Sequence, residues 1–392
     1  MIEISHRPAG TIVGADAASL CDHELAALAR KHGTPLFIYN LSHLRARVGE
    51  LLDALAAAEV RLFFATMAND RPAVLRLLAG EGLGACVNSL PHLQLAMDSG
   101  FKPERIQFTS TGISRSDMGA LRRLRVRVNL DSLSQLEQWF DLGGPEASVR
   151  VNAASLGRGL RGDRIGVEAS RVAEAQEAAA RFGRHLTGLH IYLGTNFQRH
   201  DEMLPTLEAF FNLAARIGGL RYLNIGGGIG VNYKHDGSDF DVAAFGVGLE
   251  RLARRLRERL GRQVEVIIEP GRGLAAGCGT FVTSVTDLKD LEGRRFAAVD
   301  GSIAIFPRPF HNPDTPHRIR QVATETSFED YSYVEATVVG RTTFSRDILG
   351  TAQFSKSLRV GDLLAFDDAG AYSQSMASRF LGQPEPAVVF LD

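Results

Sequence analysis

Four short segments of this chain combine residue types that can do chemistry. Asn224-Ile225-Gly226-Gly227-Gly228-Ile229-Gly230 is a glycine run behind an apolar stretch. Consecutive glycines let backbone N–H groups approach an oxyanion closely, as a phosphate cradle requires, although the same run also makes a tight turn. Glu269-Pro270-Gly271-Arg272 sets a carboxylate three residues from a guanidinium. The arginine suits a phosphate in a two-pronged contact and the glutamate suits a cationic ring nitrogen; a plain Glu–Arg loop pair is the simpler alternative. In His190-Ile191-Tyr192-Leu193-Gly194-Thr195-Asn196, strand alternation puts His190, Tyr192 and Gly194 on one face. Tyr192 can then stack on a planar ligand, whereas His190 reads as a side chain that fills a core. Phe63-Phe64-Ala65-Thr66-Met67-Ala68-Asn69 is an apolar strand ending in a small residue and an amide, and its Met67 has no acid, base or nucleophile role.

Strands ending at these segments must position them. Short runs rich in Val, Ile, Leu and Phe occur at 61–67, 84–89, 105–110, 125–131, 148–153, 186–193, 222–227 and 264–269. Between most of them, segments such as 71–78, 90–97, 132–139, 169–182 and 240–260 carry apolar residues at helical spacing. Eight strand–helix alternations point to an α/β protein with a (β/α)8 barrel, an open doubly wound sheet being the alternative. In a barrel the reactive groups sit at the C-terminal strand ends, where all four segments fall. Beyond Gly273 helical periodicity fades, and 280–286, 295–299, 333–339 and 363–367 read as strands between turns. The expected organisation is an N-terminal segment, 1–40, that joins a β domain; a barrel, 41–279; and a C-terminal all-β domain, 280–392. An isolated N-terminal strand needs such a sheet to pair with.

Composition narrows the class. The chain has 392 residues, 45% of them hydrophobic, enough for a large core and too many for a disordered chain. With 44 basic and 45 acidic residues the net charge is −1, which argues against a nucleic-acid partner. Three scattered cysteines, without a CxxC pair, argue against a disulfide framework or a structural zinc. No His/Asp/Glu cluster has convincing metal-ligand spacing. No apolar run approaches the ~18 residues of a membrane span. Met1-Ile2-Glu3-Ile4-Ser5 lacks the basic and apolar regions of a secretory signal, so a cytoplasmic protein is expected.

Taken together, the segments resemble the fold-type III pyridoxal-phosphate decarboxylases, the diaminopimelate, ornithine and arginine decarboxylase family, from about Pro35 to Phe390. Within that family the chain looks most like the decarboxylases of siderophore and antibiotic pathways, which often carry a Tyr-x-Gly-Thr motif like Tyr192-Leu193-Gly194-Thr195. The resemblance implies an alanine-racemase-like barrel followed by a β domain, pyridoxal 5'-phosphate as cofactor, an amino-acid-like substrate and a homodimer with shared active sites. It assigns Gly226, Gly227 and Gly228 to the phosphate cradle, Glu269 to the pyridine nitrogen, and Gly271 and Arg272 to the phosphate site. Tyr192 takes the ring-stacking position and Thr195 that of a hydroxyl near the phosphate. Asp368-Ala369-Gly370-Ala371-Tyr372 matches a segment whose tyrosine touches the phosphate. Val299-Asp300-Gly301 leading to Arg308-Pro309 resembles the segment that supplies an arginine, here Arg308, to the substrate carboxylate.

Two departures bear on activity. The family's Schiff-base lysine position is Met67, and none of the five lysines (Lys31, Lys102, Lys234, Lys289, Lys356) falls in another motif. The family's catalytic cysteine aligns with Thr343, and the acidic residue that often follows it becomes Phe344, removing an anchor for a distal substrate amine. A threonine hydroxyl is a poor general acid at neutral pH. Arg346 and Asp347, just beyond, are further candidates or a solvated loop pair. Three explanations compete: a diverged enzyme that keeps the cofactor non-covalently or has lost it, an active decarboxylase carrying an engineered Lys→Met change at 67, or a non-catalytic binding or partner subunit.

Overall fold

The computed structural model describes residues 11–13, 20–157, 164–323, 332–378 and 380–392; Met1–Ser5, read above for a secretory signal, lies outside them. Eight parallel strands close into a barrel: β1 (Val60–Ala65), β2 (Gly84–Val87), β3 (Ile106–Ser110), β4 (Arg127–Leu130), β5 (Ala147–Asn152), β6 (Leu186–Tyr192), β7 (Tyr222–Asn224) and β8 (Glu265–Ile268). Closure pairs β8 with β1 in the register Val266↔Val60, Ile267↔Arg61, Ile268↔Leu62. Helices such as Pro72–Gly80, Leu90–Asp98, Leu133–Asp141 and Val242–Leu260 return the chain to the start of the next strand. Three of these start at short polar caps: Ser89 accepts from His92 N, Ser132 from Gln135 N and Asp241 from Ala244 N, whereas Pro72–Gly80 opens on its proline. The longest of them, Val242–Leu260, stops at Gly261, whose φ of 63° few other residues adopt.

The strands end earlier than the apolar runs do. β1 stops at Ala65, so Met67 lies in a turn, and β7 stops at Asn224 because Gly226, at φ 68°, leaves the extended region. The barrel interior is layered. Phe63, Tyr222 and Ile267 form an apolar cluster. Gln107, Asn129, Ser148, His190 and Asn224, from five successive strands, β3 to β7, form a buried polar set. Gly188 is required opposite Tyr222, since a Cβ there would lie 2.3 Å from the Tyr222 ring.

The chain forms two compact units. The barrel comprises Arg47–Val231 with Ser238–Gly273; the other unit takes the described residues up to Ala46, Asn232–Gly237 and Leu274–Asp392. In the second unit Leu36–Asn40 pairs antiparallel with the start of the long strand Gly279–Leu291 and parallel with Ala387–Leu391. Arg294–Val299, Tyr333–Val339 and Ile348–Ser355 extend the sheet along that strand, and Leu363–Phe366 branches from it to Ile319–Gln321. Of these, Ile319–Gln321, Ile348–Ser355 and Ala387–Leu391 were not among the strands read from sequence. Phe281 anchors the core, with ring centroids 4.7 Å from Phe37, 4.6 Å from Phe306 and 5.8 Å from Phe366. Among the described residues, no helix is long and apolar enough to cross a membrane.

The Gly188 contact predicts that Gly188→Ala destabilises the barrel by about 1–3 kcal/mol through overpacking against Tyr222. A denaturant midpoint equal to that of the parent chain would show that the ring yields without cost.

Candidate active site at the barrel mouth

Strand alternation and barrel closure bring three donors to one carboxylate. Glu269, one residue past β8, is 8% exposed. Asn224 Nδ2 donates to Glu269 Oε1 at 2.6 Å, and His190 Nε2 lies 3.4 Å from Oε2. Burial pushes the Glu269 carboxyl up, but His190, Asn224 and the Cys86 thiol outweigh it and hold it below the usual range. Burial pulls the His190 imidazole below its ordinary value, so at neutral pH its Nε2–H donates to the carboxylate while the ring stays uncharged. Burial, followed by the charge of Glu269, pushes the Cys86 thiol well above its ordinary range and keeps it protonated. The result is a buried anion solvated by neutral donors, an arrangement suited to a cationic N–H group.

The glycine run lies beside this carboxylate. Glu269 N donates to Gly226 O at 2.8 Å, and a Cβ on Gly227 would sit 2.4 Å from Glu269 O. A Cβ on Gly226 would likewise sit 2.4 Å from Ile191 O, so the run packs backbone on backbone where no side chain fits. Gly271 and Arg272 follow directly, both buried, with Arg272 opening the short helix Arg272–Ala275.

Tyr192 caps β6 at 37% exposure, with the Arg150 guanidinium 5.4 Å from its ring centroid. Asp131 holds that guanidinium at 3.5 Å and also accepts from Gly166 N at 3.1 Å. Thr195 is exposed in the loop that follows. Met67 lies in the turn after β1, flanked by Ala65 N donating to Pro270 O and Thr66 N donating to Cys86 O. Closure of β8 on β1 thus sets the Met67 turn beside the Glu269-Pro270 end.

The remaining sequence-derived residues belong to the second unit. Thr343 is exposed; Phe344 has ring neighbours Phe310 at 6.0 Å and Phe380 at 6.3 Å. Tyr372 is half-buried with a left-handed backbone, φ 55°. Arg308, expected as the anchor of a substrate carboxylate, is buried, with its guanidinium 3.5 Å from the Tyr233 ring centroid and Nη1 donating to Thr315 O. The reading of Asp347 as half of a solvated loop pair is corrected: it is buried and accepts from Thr342 N at 3.0 Å and Ile303 N at 2.9 Å, closing the 340–347 loop. Arg346 remains exposed, near the Phe344 ring.

A glycine turn and a buried carboxylate thus lie side by side at the C-terminal end of a (β/α)8 barrel. Residues 41–276 match the family model for the pyridoxal-dependent decarboxylase, pyridoxal binding domain, and the chain belongs to that family. It is 28% identical over 409 residues to the diaminopimelate decarboxylase of Methanothermobacter thermautotrophicus, covering 100% of this chain and 92% of the relative. The Pseudomonas aeruginosa diaminopimelate decarboxylase is 29% identical over 394 residues, covering 94% and 90%. Among solved structures, Helicobacter pylori diaminopimelate decarboxylase complexed with L-lysine superposes with a TM-score of 0.84 at 24% identity, covering 94% of each chain. The Vibrio vulnificus lysine/ornithine decarboxylase complexed with putrescine gives 0.82 at 21%, covering 95% of this chain and 98% of that one.

Sequence reading missed much of the site's support. His190 appeared as core filling, yet it donates to Glu269; Asn224, Cys86, Arg150 and Asp131 were not singled out. Asn224 carried a usable signal, a polar residue at an apolar strand end just before the glycines. Cys86 carried none.

The neutral His190 sets a pH dependence. The unfolded chain takes up a proton at this histidine near 6.5, which the folded chain resists. Its contribution to stability is present above that pH and is lost as pH falls through and below it. His190→Gln is expected to flatten the acid limb by up to one proton, about 1.4 kcal/mol per pH unit. Urea midpoints at pH 8 to 5 check this; an unchanged slope would mean that His190 protonates within the fold.

Proposed function

We propose that the chain holds pyridoxal 5'-phosphate non-covalently at the barrel mouth and acts on an amino acid or amino-acid-derived carboxylate by chemistry diverged from decarboxylation, in specialised metabolism. The observation that carries this reading is the buried, ionised Glu269 hydrogen-bonded through its own N–H to the glycine cradle. The residues fit the group's two poles: the Gly226–Gly228 turn, whose Gly226 N–H is held by Asn224, would with Arg272 and Thr195 hold the phosphate, and Glu269 the protonated ring nitrogen. Tyr192 would lie against the ring face. They do not fit its covalent attachment, because the thioether of Met67 forms no bond to an aldehyde. When bound, the cofactor supplies a cationic ring that draws electrons from a bond broken at the amino-acid α-carbon. Glu269 keeps that ring nitrogen protonated, His190 and Asn224 keep Glu269 charged, and Phe344 offers no charge to a distal substrate amine. Family membership and the diaminopimelate decarboxylase relatives support an amino-acid substrate.

Equilibrium dialysis against pyridoxal phosphate tests the reading. The parent chain is expected to bind it without borohydride-trappable attachment, and Glu269→Gln and Arg272→Met to bind it at least tenfold more weakly with unchanged melting. Retention equal to the parent's in both variants would remove the assigned site.

Met67→Lys separates the remaining alternatives. Under this proposal it gains covalent attachment but not fast decarboxylation of diaminopimelate, lysine or ornithine. Turnover restored by that one change would identify a decarboxylase lacking only its lysine.

A further inference from the structure

The cradle and the carboxylate are joined by a closed ring of hydrogen bonds that runs through two side chains, those of Asn224 and Glu269. Glu269 N donates to Gly226 O at 2.8 Å, Gly226 N donates to Asn224 Oδ1 at 2.8 Å, and Asn224 Nδ2 returns to Glu269 Oε1 at 2.6 Å. The other Nδ2 proton goes to Gln107 Oε1, which also accepts from Asn129 Nδ2 at 3.2 Å. Asn224 is fully buried, and its amide is oriented from three sides. Rotating it by 180° would set an NH2 against the Gly226 N–H and an oxygen against the Glu269 carboxylate. The Gly226 N–H, at φ 68°, is thereby committed to Asn224. In the β6–β7 register His190 pairs with Asn224, so the two side chains approach the carboxylate from neighbouring strands, one at each oxygen.

We propose that Asn224 is a positioning residue that locks the phosphate cradle to the ring-nitrogen carboxylate, so that a ligand carrying both groups meets one rigid unit. The inference rests on reading the barrel mouth as a pyridoxal-phosphate site. Its physical basis is preorganisation: a ligand held at two points gains most when the span between them is already set. The ring's other side chain is that of Glu269, and the Asn224 amide is engaged within the protein by Gly226, Glu269 and Gln107. Its role is therefore exerted through Gly226 and Glu269.

Two variants separate its arms. Asn224→Leu keeps a similar volume and removes both hydrogen bonds, whereas Asn224→Asp keeps the acceptor for Gly226 and sets a second carboxylate against Glu269. Three readouts apply: amide exchange of Gly226 in the ligand-free chain, and binding of inorganic phosphate and of pyridoxal phosphate. Asn224→Leu is expected to speed Gly226 exchange at least tenfold and to weaken both ligands at least tenfold. Asn224→Asp should leave Gly226 exchange and phosphate binding within twofold and weaken pyridoxal phosphate alone, as Glu269→Gln does. Gly226 exchange and phosphate affinity unchanged in Asn224→Leu, with the melting temperature maintained, would overturn the coupling. A parent chain that ignores pyridoxal phosphate, while Asn224→Leu still shifts Gly226 exchange and phosphate binding, would sink the functional reading and leave the strut standing.

Discussion

A single buried negative charge organises the barrel mouth. Taking a carboxylate out of water costs several kcal/mol unless donors replace its hydration, and unpaired buried charges are correspondingly rare. Glu269 has its donors from β2, β6 and β7: Cys86, His190 and Asn224. This constraint explains why a barrel interior otherwise filled by apolar side chains carries a polar set at the level of the site. Gln107 and Asn129 orient Asn224, Asn224 orients Glu269, and the same amide fixes the glycine turn. Loss of one member leaves another buried polar group without its partner, which costs more than the bond itself contributes.

Binding and covalent chemistry are separable in this fold. The groups that would grip a phosphorylated ring lie on β6, β7 and β8, whereas the position of the attaching amine lies in the turn after β1. Met67, in that turn, takes no part in the hydrogen-bond ring. A barrel can therefore retain its ligand site while its reaction changes. The relatives, at 28–29% identity across nearly the whole chain, place this protein within the decarboxylase family. They do not require that it keep the family's reaction.

The second unit follows a different logic. Its centre is aromatic, built from Phe37, Phe281, Phe306 and Phe366, and its loops are closed by buried polar residues. Asp347 ties Thr342 and Ile303 together, and Arg308 is sandwiched between Tyr233 and Thr315. Both side chains look like surface charges in a one-dimensional reading, since arginine and aspartate are mostly exposed. In the fold Asp347 accepts from backbone and side-chain donors of its own loop, and the Arg308 Nη atoms donate to Thr315.

Strand and helix periodicities determined the barrel, because eight buried parallel strands must each be short and apolar and each return helix must bury one face. The glycine run and the Glu-Pro-Gly-Arg segment were legible because their residue types stand together in the sequence. Composition and the lack of a lysine in the Phe63–Asn69 segment likewise needed no structure. The support of the site was decided only by closure. Alternation shows that His190 faces inward but not what it meets there, and Glu269 lies 79 residues away. Cys86 and Asn224 reach the same carboxylate from strands five apart in chain order, which closure brings to within three places around the barrel. Such convergence depends on strand stagger and on which side chains share a layer, quantities that exist only once the sheet has closed on itself.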